Sequence, residues 1–232
     1  MLWRDSTSGE TYAVVAAGAY GISVVDMTAF LVSGSQADLG IDKLLKTFEP
    51  IKVDEDNPFG SADGKSVDVQ IIGNVAYVSY DSYGIVAYSM ADLIKPLRPD
   101  QIAAGCEPTK MLIKNVDPKV DCRPVDTGRF KLQLVAGYED LEGGAQYMTP
   151  QFFPAGVPYI DANGNVTRPS RDRLLFFVAY GDAGVVKIDW SDVEVPTLLT
   201  HKEVIGESLG TAIRNGRVYV AANAGGLTVL KK

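Results

Sequence analysis

Hydrophobic residues in this chain alternate with small or polar ones in short runs, and the runs come in pairs around a turn that ends on glycine. Residues 12–17 lead through Gly18 to a second run opening at Gly21. Residues 75–80 lead to a run opening at Gly84, 175–180 to one at Gly184, and 217–222 to one at Gly226. Each run is rich in Val, Ile, Tyr and Phe, which predicts a strand, and each pair around its tight connection predicts a β-hairpin. The glycine that opens the second run supplies a backbone angle that other residues resist. A weaker fifth copy reads as residues 132–137 followed by 144–148.

The marker glycines set the period. Gly144 to Gly184 is 40 residues and Gly184 to Gly226 is 42, whereas Gly21 to Gly84 is 63 and Gly84 to Gly144 is 60. A unit of about 40 residues with two insertions of about 20 fits a four-stranded β-propeller blade, whose insertions fall in loops. Flanking strands fill out the unit. Residues 66–72 alternate ahead of the turn Gly73-Asn74, and 209–214 lead into Asn215-Gly216, a strong hairpin signal. Residues 190–196 and 197–205 follow the hairpin marked by Gly184. Residues 41–48 fit a short helix or a strand equally.

The expected fold is therefore all-β: a propeller of about five four-stranded blades in one domain over 1–232. Blades fall near 1–52, 64–103, 104–150, 168–206 and 207–232, with insertions near 29–43, 54–64, 104–128 and 149–170. The first blade starts and the last stops mid-unit. Either the two ends complete one ring, or the chain is part of a larger propeller; unpaired strand edges favour the second reading.

The repeats resemble the LVIVD-repeat family of β-propellers. The likeness rests on Gly184 and the alternating strand to Asp189, followed by Ser191, Asp192 and Pro196. Gly21 to Asp26 repeats the strand, and Gly84 to Pro96 repeats strand and turn with Tyr88 in place of Asp. The resemblance covers roughly two thirds of the chain. It implies an exported or surface-associated bacterial or archaeal propeller with no shared catalytic residues. Tryptophan-aspartate propellers fit less well, since no unit ends in Trp-Asp.

Composition narrows the partners. The 232 residues carry a net charge of −7, which repels phosphate backbones and anionic membranes, so nucleic acid is not an expected partner. No apolar run is long enough to span a bilayer, and residues 1–5 have no signal-peptide pattern. The expected partners are a protein or further propeller blades, and the expected location is extracellular, cell-surface or periplasmic. Cys106 and Cys122 lie 16 positions apart among prolines and turn formers. A disulfide is the preferred reading there, worth about 3 kcal/mol in the chain-entropy model, against two separate buried thiols.

Candidate chemistry is sparse. Asp54, Glu55, Asp56 and Asn57, with Asp63, gather oxygen donors of the kind Ca²⁺ takes, but the spacing fits no calcium loop and a solvated acidic loop is preferred. Asp161 to Asn165 is read as a turn on Asn163-Gly164. His201 is the sole histidine, which removes two-histidine metal sites and most triads. No cofactor, catalytic residue or metal ligand is expected; Ca²⁺ is the one cofactor weighed. Tyr147, Phe152, Phe153 and Tyr159 lie in a Pro-rich apolar insertion and form the candidate interaction loop. The leading expectation is a non-catalytic scaffold or binding module. The alternatives are a metal-dependent propeller hydrolase, with carboxylates such as Asp68 and Glu107 converging on a channel, and an accessory subunit of surface redox proteins.

Overall fold

The computed structural model describes residues 1–19, 21–38, 44–48, 65–81, 83–106, 122, 126–130, 132, 144–161 and 165–231. The protein is all-β, built of small antiparallel sheets. The first sheet is a meander of β1 (Leu2–Arg4), β2 (Thr11–Ala16), β3 (Ile22–Asp26) and β4 (Leu44–Phe48). The second is a meander of β5 (Ser66–Ile72), β6 (Val75–Tyr80), β7 (Gly84–Ser89) and β8 (Asp126–Phe130). The third opens with β9 (Met148–Phe153). A two-stranded hairpin of β10 (Tyr159–Ile160) and β11 (Val166–Thr167) follows, and the sheet continues with β12 (Arg173–Ala179), β13 (Val185–Asp189) and β14 (Thr197–Lys202). The fourth has three strands, β15 (Ser208–Arg214), β16 (Arg217–Ala222) and β17 (Gly226–Lys231). Three helices of one to two turns, α1 (Thr28–Ser33), α2 (Met90–Ile94) and α3 (Pro99–Ala103), lie between strands.

The chain divides into two compact units, residues 1–78 with 87–126, and residues 79–86 with 127–232. The division runs through the second sheet. Its first strand and the base of its central hairpin belong to the first unit, and the hairpin tip and most of its last strand to the second.

The marker glycines act as the pattern requires. Gly21, Gly84, Gly184 and Gly226 have φ of 75°, 103°, 80° and 66°, in the left-handed region where glycine is favoured. Past the hairpins opened by Gly21, Gly84 and Gly184, the same backbone bond closes the unit: Met27 N–H donates to Thr11 O at 2.8 Å, Met90 N–H to Asn74 O at 2.9 Å, and Trp190 N–H to Leu174 O at 2.8 Å. The Asp that ends the strand turns the chain. Asp26 accepts from Thr28 N–H at 2.9 Å and Asp189 from Ser191 N–H at 3.0 Å. The hydroxyl of Thr28 or Ser191 then accepts from the start of the second strand, Thr11 N–H or Leu174 N–H.

Residues 44–48, where the pattern fits helix and strand equally, are strand β4, the outer neighbour of β3. Two sequence expectations need correction. The weak fifth hairpin does not form in its described part: Gly144 to Tyr147 is irregular, and residues 133–137 lie outside the described residues. The expected blade over 104–150 is instead divided, with β8 closing the second sheet and β9 opening the third. Gly144 is a glycine for another reason. Its φ is not left-handed, and a Cβ there would overlap the carbonyl of Asp81.

Candidate interaction surface

The first and second sheets, and likewise the third and fourth, are joined by the same device. The strand that opens the following sheet begins with a serine sunk into the hairpin tip of the preceding one. In the first unit, Ser66 is buried, bridges to Gly18 and donates its hydroxyl to Gly21 O. In the second unit, Ser208 is fully buried and bridges to Gly181. Its hydroxyl reaches Gly181 O at 3.0 Å and Gly184 O, and it accepts from Tyr180 N–H at 3.0 Å. Gly18 and Gly181 occupy the same place in their hairpins, three residues before the marker glycine, so the two latches are one repeated joint. The hydroxyl adds a second hydrogen bond to turn carbonyls that already accept a backbone N–H, Gly21 O from Ala17 and Gly184 O from Tyr180, and so ties the following sheet to the hairpin tip.

The joint between the third and fourth sheets is also apolar. Phe153, Leu175, Phe177 and Val185 of the third sheet meet Val218 and Val220 of the fourth. The first strands are linked by threonines. Thr149 on β9 and Thr211 on β15 share a hydroxyl contact of 2.9 Å, Thr149 donates to Thr211 O at 2.7 Å, and Thr211 donates to Phe177 O at 2.9 Å.

A charged group borders this joint. Arg173 and Asp189 pair at 2.6 Å, and Lys187 lies over the Phe177 ring at 5.3 Å from its centroid. Burial acts to raise the Asp189 carboxyl, but hydrogen bonds from Ser191 and Arg173 outweigh it and hold the group below the usual Asp value. Burial, then the Arg173 charge, hold the Lys187 ammonium below the usual lysine range. This is an ion pair with a covered cation beside it, the chemistry of a structural joint. Tyr180, at the hairpin tip, is pushed up to about 12 by burial.

The candidate interaction residues separate into two pairs. Residues 148–153 are not the loop that their composition predicts; they form β9, an edge strand paired along its length with β12, with Met148 and Phe153 buried on opposite faces. Phe153 is buried and its ring sits 4.2 Å from that of half-buried Tyr159, so these two hold the β10–β11 hairpin to the third sheet. Tyr147 and Phe152 are exposed. The hairpin adds Ile160 and Val166, a direct cross-strand pair at 68% and 71% exposure, which the sequence reading did not single out. Their signal was present in the sequence as two isolated β-branched residues either side of a polar turn.

The remaining candidates do not converge. Among the described residues, no three His, Cys, Asp or Glu side chains are grouped to hold a metal ion. His201 lies on β14 with Nε2 against the carbonyl of Ala183. Asp68 is engaged locally, accepting from Val69 N–H at 2.8 Å and Gln70 Nε2 at 3.0 Å. Glu107, residues 54–57 and Asp63 lie outside the described residues, as do residues 162–164. Asp161 and Asn165, which flank those three, exchange backbone and carboxylate hydrogen bonds of 2.9 Å, as across a turn. Cys106 and Cys122 are joined as a disulfide, with Leu97 packed beside it. No helix among the described residues is long and apolar enough to cross a membrane.

No known protein family matches the chain, and no curated protein matches it. Among solved structures, the chain is similar to two computationally designed proteins, both at 10% identity. The Ika4 match has a TM-score of 0.41 and covers 96% of this chain and 84% of that one. The Ika8 match has a TM-score of 0.44 and covers all of this chain and 45% of the other, so the chain spans about half of Ika8. Likenesses this weak assign neither fold nor function.

Proposed function

We propose that the sheets are blades of a β-propeller, related to the LVIVD-repeat propellers, and that the protein is a non-catalytic scaffold in an exported or cell-surface assembly. The observation that carries this reading is the repeated joint. A serine at the head of one sheet latches into the hairpin tip of the sheet before it, and the opening strand of the later sheet touches inner strands of the earlier one, β5 against β2 and β15 against β9 and β12. A meander joined to the next at its inner strands is how radial repeats are built. The disulfide supports an oxidising compartment. The exposed Tyr147, Phe152, Ile160 and Val166 supply a surface for a protein partner.

Two experiments test the reading. For the joint, Thr149→Cys combined with Thr211→Cys is expected to form a second disulfide within the chain on mild oxidation. Failure to form it, in a protein that stays folded, would remove the joint and the radial architecture with it. For the role, a photo-crosslinking residue at Phe152 or Ile160 is expected to capture a defined protein on source cells, and the purified chain is expected to show no hydrolytic turnover. Stoichiometric bound metal together with turnover would replace the scaffold with an enzyme.

A further inference from the structure

The β10–β11 hairpin, between β9 and β12 in the chain, carries at its turn end a motif that the sheets do not use. Asn165-Val166-Thr167 has the spacing of an N-glycosylation acceptor, with a residue other than proline in the middle. No other asparagine in the sequence is followed two residues later by serine or threonine.

The hairpin does not need these residue types. It is closed by backbone groups: Asp161 N–H donates to Asn165 O at 2.9 Å, and Asn165 N–H donates to the Asp161 carboxylate at 2.9 Å. Any residue at 165 except proline supplies both. The side chains add only contacts at the limit of a hydrogen bond, Asn165 Nδ2 at 3.4 Å and Thr167 Oγ1 at 3.5 Å from one oxygen of Asp161. Left-handed backbone does not explain the asparagine either. Among the described residues, Asn215 is the only non-glycine with positive φ.

The position suits a bulky attachment. Asn165 is exposed. Side chains alternate along the strand, so Asn165 and Thr167 share a side with Tyr159, which stands opposite Thr167 and packs on Phe153. Val166 and Ile160 project from the other side, as a direct cross-strand pair. A group on Asn165 therefore leaves that apolar pair open to a protein partner.

We propose that Asn165 carries an N-linked oligosaccharide. The proposal rests on the export reading above, because such sugars are added to secreted chains, and the Cys106–Cys122 disulfide independently marks an oxidising compartment. The co-reactant is a polyprenyl-phosphate-linked oligosaccharide. Asn165 Nδ2 attacks C1 of the first sugar, the bond from C1 to the phosphate oxygen breaks, and the polyprenyl phosphate leaves. Nδ2 gives up one proton to a base of the transferase, and nothing is oxidised or reduced. Thr167 is half-buried in the folded hairpin, so the motif is read during export, before β11 pairs with β10. One N–H remains on Nδ2 after transfer, enough to keep facing Asp161.

The test is mass spectrometry of the peptide spanning residue 165, from the chain produced in its source cells, together with the location and thiol state of the same protein. The peptide is expected to carry the added mass of a chain of sugar units, placed on Asn165 by fragmentation. Asn165→Gln and Thr167→Ala are each expected to abolish the added mass and to keep the wild-type urea midpoint. Thr167→Ser is expected to restore it. Should Thr167→Ala fail to fold, Asn165→Gln, at an exposed side chain, carries the same test. An exported, disulfide-bonded chain with bare Asn165 overturns the proposal and leaves the export reading standing. Sugar that persists in Thr167→Ala also overturns it, because attachment would then not depend on the motif. A chain retained inside the cell with reduced cysteines removes the export reading and the modification with it, so the two failures are distinguishable.

Discussion

The third and fourth sheets share one repeat and differ in what surrounds them. Both contain a hairpin opened by a left-handed glycine, Gly184 or Gly226. In the third sheet the hairpin is covered on both faces, and fully buried Phe176 meets Trp190, just past the hairpin, edge to face at 5.8 Å. The fourth sheet is covered on one face and exposes Leu227 and Val229 on the other. The same local code thus yields a two-faced core element or a one-faced end element, and only the neighbours decide which. The hairpin is a property of the sequence; burial is a property of the stack.

That contrast can be broken most severely at the place where the chain first meets a turn without room. Gly144→Val would drive a side chain into the Asp81 carbonyl and is expected to cost more than about 4 kcal/mol, read as loss of soluble folded protein. Equivalent positions sharpen the comparison. Phe177→Ala in the third sheet is expected to cost about 3–5 kcal/mol in urea unfolding. Tyr219→Ala in the fourth, measured in dilute protein, is expected to cost about 1 kcal/mol, because Tyr219 is only half-buried. Equal losses would erase the distinction between the two sheets.

Smaller effects test the joint between them. Ser208→Ala removes a hydroxyl that serves Gly181, Gly184 and Tyr180, and is expected to cost about 2 kcal/mol. Asp189→Asn is expected to cost about 1–2 kcal/mol at neutral pH by weakening the bonds to Arg173 and Ser191. The Asp189 carboxyl lies below its ordinary value of 3.8 in the folded protein. Its contribution is therefore complete above that value and fades as pH falls through the lowered one. The stability gap between wild type and Asp189→Asn should close in acid, and a gap that widened there would contradict the ion pair.

What could be read from the sequence was what is local. The hairpins were legible because two strands, a turn and a glycine lie within about 20 residues and need no partner to be recognised. The turns after β3 and β13 were legible for the same reason, through Asp26 and Asp189. Strands that pair across an insertion were not. β9 meets β12 only after the excursion through β10 and β11, so Phe152 and Phe153 read as an aromatic loop. β8 carries Gly128 and Arg129 and has little strand propensity; its glycine is needed where a Cβ would strike the Val193 carbonyl. Gly144 misled because glycine serves close approach as well as left-handed turns, and spacing alone does not distinguish the two. Of the interaction residues, the exposed Tyr147 and Phe152, the buried Phe153 and the half-buried Tyr159 share one composition, and within β9 only the alternation of a strand separates Phe152 from Phe153.

The radial stacking of the sheets is most directly tested by X-ray diffraction from crystals of the purified chain. The account predicts that β1, β5, β9 and β15 lie side by side around a common axis, each sheet radiating outward to its last strand. Two layers of sheets packed face to face, with no shared axis for those four strands, would contradict it.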